Sequence, residues 1–181
     1  MRRVRRYADA MTTLVFTIVG ADRAGLVARV ADIVADHDGN WERSELAELS
    51  GTFAGVVEVS VPAARADDLK TALSALEGLL TAVVQEQTDA ATEPMPARPF
   101  TFTVLGNDRP GIVREITAVL GARDMSIDRM TTVTREAAMY GGRLFEASVV
   151  AHASESVDVD SVIVDLERLA GEIQVDVSVG G

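Results

Sequence analysis

The chain is one unit written twice, and that repeat limits its fold more than any other feature. Leu105-Gly106-Asn107-Asp108-Arg109-Pro110-Gly111-Ile112-Val113 is a near copy of Val19-Gly20-Ala21-Asp22-Arg23-Ala24-Gly25-Leu26-Val27. Gly20 and Gly106, like Gly25 and Gly111, stand 86 positions apart. Upstream, Leu14, Phe16 and Ile18 map at the same spacing onto Phe100, Phe102 and Val104, alternate positions of a strand. Downstream, Leu26, Val27, Val30, Ile33 and Val34 map onto Ile112, Val113, Ile116, Val119 and Leu120, the spacing of one helix face. Chance does not keep two different periods in register.

Hydrophobic periodicity predicts the order βαββαβ in each copy. In the first, a strand over residues 13–19 leads through the glycine loop to a helix over 25–38, which Gly39 ends. A polar strand follows over 40–48. Another over 53–61 sets Val57, Val59 and Val61 on one side and Glu58 and Ser60 on the other. A second helix, 65–78, carries Leu69, Ala72, Leu73 and Leu76, and a strand over 81–87 closes the copy. The second copy reads as strand 100–105, helix 111–123, strands 125–134 and 143–151, helix 157–170 and strand 172–179. Leu69, Leu73, Leu76 and Val83 match Val159, Ile163, Leu166 and Ile173 at a spacing of 90, which implies four extra residues in the hairpin 135–142.

Helices after alternate strands lie on one face of a four-stranded sheet when the crossovers are right-handed. The expected fold class is α+β: two tandem ferredoxin-like domains, each a four-stranded antiparallel sheet with two helices on one face. Strands one and three, the most apolar, belong in the centre. Strand two, carrying Glu42, Arg43 and Glu45, suits an edge. Residues 11–88 form the first domain and 99–181 the second. Residues 89–98, with Pro94 and Pro96, read as a stiff linker, and 1–10 as a disordered basic tail. Met11 is an alternative start to Met1. The tail and the apolar run behind it superficially suggest a signal peptide. The same run recurs at 100–105 with no basic leader, so it reads as a strand.

A net charge of −11 argues against direct nucleic-acid binding, which needs clustered Lys and Arg. The one basic cluster is Arg2, Arg3, Arg5 and Arg6, so the remainder is more acidic still. Absence of cysteine removes disulfides and thiolate metal sites and suits a cytoplasmic protein. No apolar run approaches the ~20 residues of a membrane helix.

The spacing Gly-x-Asp-Arg-x-Gly-[Leu/Ile]-Val sets a glycine where a helix leaves a central strand. The first amides of a helix lack internal partners and carry partial positive charge, so an anion such as a carboxylate can dock there. Asp22 and Asp108 suit N-cap positions, and Pro110 suits the first turn. Spacing alone is equally compatible with nothing more than a good helix start. Catalysis finds no support: His37 and His152 occupy non-equivalent positions, and no triad, metal or phosphate motif occurs, so no catalytic residue, metal or cofactor is expected. Trp41 reads as a packing residue. Asp158, Asp160, Asp165 and Glu167 read as the solvated face of the last helix.

Asp-Arg-Pro-Gly-Ile-Val after a strand, within a βαββαβ unit, resembles the amino-acid-binding ACT domain. Two such units and little else resemble the group of glycine cleavage system transcriptional repressors. The resemblance implies a regulatory module without catalysis that binds a small amino acid between paired domains. The pairing would lie within one chain or across a homodimer, and the partner would be a protein such as a transcription factor. Loop contacts carried over are Asp22, Arg23, Ala24, Gly25 and Leu26, and Asp108, Arg109, Pro110, Gly111 and Ile112. At the start of strand two they are Asn40 and Ser126. Ala24 departs from the proline kept as Pro110, and Ser126 from the asparagine kept as Asn40. Asn40 with the Pro110 loop therefore makes the better composite site. The alternative is an interaction module that has lost its ligand and works by domain or edge-strand pairing.

Overall fold

In a computed structural model, residues 10–88, 98–136, 142–154, 157–170 and 174–179 are described. The chain divides into two compact units, residues 1–92 and 93–181. Residues 1–9 of the expected tail 1–10, residues 89–97 of the expected linker and the hairpin centre 137–141 lie outside the described residues, while the Ala10 carbonyl accepts from the Ala63 amide at 2.8 Å.

The first unit runs β1 (Met11–Ala21), α1 (Leu26–Asp36), β2 (Asn40–Leu49), β3 (Thr52–Pro62), α2 (Ala66–Ser74) and β4 (Leu79–Thr88). The second runs β5 (Arg98–Asn107), α3 (Ile112–Ala122), β6 (Ser126–Glu136), β7 (Arg143–Ala153), α4 (Val159–Ala170) and β8 (Gln174–Val179). Each forms one antiparallel sheet, ordered β2-β3-β1-β4 and β6-β7-β5-β8. The two most apolar strands are central and the polar second strand is an edge, as the patterning predicts. This is the ferredoxin-like arrangement, twice.

Alternation places Leu14, Phe16 and Ile18 of β1 beside Val57, Val59 and Val61 of β3, all fully buried. Helix α1 covers them with Leu26, Val30 and Val34, and α2 with Leu69 and Leu73. In the second unit Phe100, Phe102 and Val104 lie under Ile112, Ile116 and Leu120 of α3 and Val162 and Leu166 of α4. The stripe on α1 and α3 is narrower than predicted, since Val27 and Val113 are exposed. At 100° per residue the position after each first core contact rotates off the sheet. Trp41 packs against the first core, as expected of a structural residue.

Three expectations need correction. Helix α2 ends at Ser74, short of residue 78: the Leu76 amide falls back on the Leu73 carbonyl in a tighter turn, and Gly78, at positive φ, then leads the chain into β4. Asp165 is not merely solvated, since Arg123 and Arg168 both pair with it. The third correction concerns register. Val59 and Ala151 occupy equivalent places opposite Leu14 and Phe100, 92 positions apart. Val83 and Val177 do so opposite Phe16 and Phe102, 94 apart. The spacing of 90 is therefore wrong. The connection between β6 and β7 is six residues longer than its counterpart, not four. The strand spacings depart from 90 by two and by four, and even shifts keep the same face of a strand, so apolar alternation alone could not detect them.

Candidate ligand-binding loops

Both loops are built from the same backbone bonds. The amide of Asp22 donates to the Gly51 carbonyl at 2.9 Å, and that of Asp108 to the Arg143 carbonyl at 2.8 Å. A turn follows, with Leu26 N–H on the Arg23 carbonyl at 3.2 Å and Ile112 N–H on the Arg109 carbonyl at 3.3 Å. The first helical bonds run from Arg29 to Gly25 and from Glu115 to Gly111, each 3.0 Å. Gly25 and Gly111 are the N-cap residues, left-handed at φ +83° and +88°, and no side chain caps either helix. Asp22 and Asp108 are thus not the caps that spacing suggests, and Pro110 precedes the cap instead of entering the first turn. The main chain of each aspartate is held on the neighbouring hairpin instead, and Asp108 turns its carboxylate to Arg143.

A Cβ at Gly25 would meet nothing within 4 Å, and one at Gly111 would come no nearer than 3.8 Å to Arg114 Nη2. Glycine is required here by φ, not by crowding, since a side chain at positive φ is strained. The space beside each glycine is open, while the next amide, of Leu26 or Ile112, is already bonded within the turn.

The side chains differ. Arg109 grips Glu115, one turn into α3, through both ends of its guanidinium: Nη1 to Oε1 at 2.9 Å and Nη2 to Oε2. That grip holds the Glu115 carboxyl below the ordinary carboxylate range. Asp108 faces Arg143, 3.7 Å from its Nε. The position matching Glu115 in the first unit is Arg29, and the first turn of α1 holds no acid. Arg23 instead lies across the turn before β4, donating to the Glu77 carbonyl at 3.5 Å.

At the start of strand two each sheet carries a bulge, at Glu42 between Trp41 and Arg43 and at Asp128 between Ile127 and Arg129. Glu42 Oε1 accepts from Asn40 Nδ2 at 3.0 Å and from Ser60 Oγ at 2.5 Å. Those bonds, Ser60 first, hold its carboxyl below the ordinary range. In the second unit Asp128 takes the place of Glu42 and contacts His152 Nδ1 at 2.6 Å, with His152 in the place of Ser60. His152 lies within β7 instead of after it. Sequence reading did not single out Glu115, Ser60 or these bulge acids as site residues. Acids 86 positions apart at 42 and 128 were the available signal.

Within a unit the two halves of the expected site do not meet. Asn40 pairs with Ser60, which pairs with Thr13, whereas the loop leaves β1 at Ala21. Eight residues of strand, roughly 26 Å at about 3.3 Å each, separate them. Ser126, beside His152 and Pro99, is as far from the loop after Asn107. Any site using both contacts needs two units. Among the described residues no group of three His, Asp or Glu could hold a metal ion, and no helix is long and apolar enough to cross a membrane.

The ACT domain family model matches residues 12–85. The glycine cleavage system transcriptional repressor of Escherichia coli (strain K12) is 27% identical over 168 residues, covering 92% of this chain and 88% of that protein. A crystal structure of an unknown protein from Galdieria sulphuraria matches with a TM-score of 0.82 at 26% identity, over 94% of this chain and 99% of its own. A solved protein proposed to be a glycine cleavage system transcriptional repressor shares the fold at a TM-score of 0.65 and 17% identity, over 94% and 99%. The ACT domain model thus matches the first unit, the second unit repeats that unit element for element, and over nearly its whole length the chain is similar to the glycine cleavage system transcriptional repressor.

Proposed function

We propose that this chain is a non-catalytic amino-acid sensor. A small amino acid binds between paired ACT units, and the resulting shift in conformation modulates a partner protein such as a transcription factor. The regulated process is amino-acid metabolism of the kind the relatives' name indicates, glycine cleavage, and the compartment is the cytoplasm. The units correspond to residues 11–88 and 99–181. The binding residues are the loop residues Asp22, Arg23, Ala24, Gly25 and Leu26 or Asp108, Arg109, Pro110, Gly111 and Ile112 of one unit, with Asn40 or Ser126 supplied by another unit.

The observation that carries this reading is the duplicated loop, with a left-handed glycine ahead of a helix and open space above it. Helix N-termini of this form favour anions, and an amino acid brings a carboxylate. A thermal-shift panel of the free amino acids tests it. At a hundredfold excess over Kd, a ligand adds about 2.7 kcal/mol to the native state. In units of this size that raises Tm by roughly 10–20 °C. A panel in which no amino acid shifts the melt overturns the proposal in favour of a pairing module without ligand.

A further inference from the structure

Two loops with the same backbone carry arginines in two different states. Arg109 already holds a carboxylate in the two-point geometry by which guanidinium recognises that group. The carboxylate is supplied from within the chain by Glu115, whose amide makes the first helical bond of α3. In the first unit the same position is Arg29, so α1 brings a second cation where α3 brings an acid. Among the described residues no carboxylate pairs with Arg23. Its guanidinium rests on the Gly78 main chain, held by one long bond of 3.5 Å.

From this contrast we infer that the two units are functionally unequal: the Arg23 loop receives the carboxylate of a free amino acid, and Glu115 keeps the Arg109 loop closed by standing in for that carboxylate. The inference rests on the amino-acid-sensing reading above. It names the first unit as the receptor and reverses the preference for the Pro110 loop that loop composition suggests. The physical reason is competition. A ligand entering the second loop must displace an intramolecular carboxylate, whose effective concentration is far above that of a solute. At Arg23 it displaces only water and one long bond to a carbonyl.

The test uses the full chain and isothermal titration with whichever free amino acid gives the largest thermal shift, beside its carboxamide. Wild type takes one amino acid per chain and does not bind the carboxamide measurably. Arg23→Gln weakens binding at least tenfold. Glu115→Gln opens the second loop and raises the stoichiometry from one to two. Should Arg23→Gln lose its cooperative melt, Arg23→Lys is used in its place: it keeps the charge but not the fork, and also binds more weakly. Undiminished affinity in the Arg23 variant, or one site still in Glu115→Gln, overturns the inference while the sensor reading stands. A wild type that binds no amino acid overturns both.

Discussion

The guanidinium of Arg23 lies against the main chain of Gly78, so close that a Cβ on that glycine would stand 1.6 Å from Nη2. The turn before β4 and the loop after β1 are thereby tied across the end of the sheet. Gly78 also holds φ +77°. Gly78→Ala is expected to cost about 1–2 kcal/mol from the backbone alone, and to expel the arginine besides. Only the second effect disappears in an Arg23→Ala background. Urea unfolding of the four proteins of a double-mutant cycle therefore shows less than additive loss. Strict additivity would mean that the two residues do not touch in solution.

At Gly111 the expected cost is conformational. Space is open, so Gly111→Ala loses about 1–2 kcal/mol through its φ of +88°. Gly111→Asn loses less, because asparagine tolerates the left-handed region. Equal losses from both, measured by denaturant melts, would point to crowding instead.

Glu42 gives the stability curve an acid limb. Its carboxyl lies below the usual value of 4.5 in the folded chain, through Ser60 and then Asn40. The unfolded chain therefore binds the proton more readily, and stability rises with pH through this range. The contribution is fully present above about pH 4.5 and lost as pH falls through the folded value. Glu42→Gln is thus less stable than wild type at neutral pH, and the gap closes on acidification. A gap independent of pH, in melts from pH 7 to pH 3, would refute the ionic origin.

Phe102, on the central strand β5, is fully buried in the second core, beside Phe100 with ring centres 6.4 Å apart. Phe102→Ala is expected to destabilise the second unit by about 3–5 kcal/mol. Denaturant unfolding followed by near-ultraviolet circular dichroism measures it. A loss under 1 kcal/mol would mean that the core refills.

The amino-acid sequence by itself determined the elements, their duplication and their order in the sheet. Those properties are written in local periods: alternation in 14, 16 and 18, helical spacing in 26, 30 and 34, and the same residues again 86 positions on. Tertiary structure decided what depends on approach through space. It made Gly25 and Gly111 the caps, because the backbone takes the left-handed conformation there while Asp22 and Asp108 are held on the neighbouring hairpins. It corrected the spacing of the second halves from 90 to 92–94, because only strand pairing, not facial pattern, distinguishes an even shift of two or four. It set Asn40 and the loop of its own unit at opposite ends of one sheet. It also separated two arginines with nearly the same local sequence, binding Arg109 to Glu115 and laying Arg23 over Gly78. A side chain's partner is chosen by what the fold brings within about 3 Å, and no local period encodes that distance.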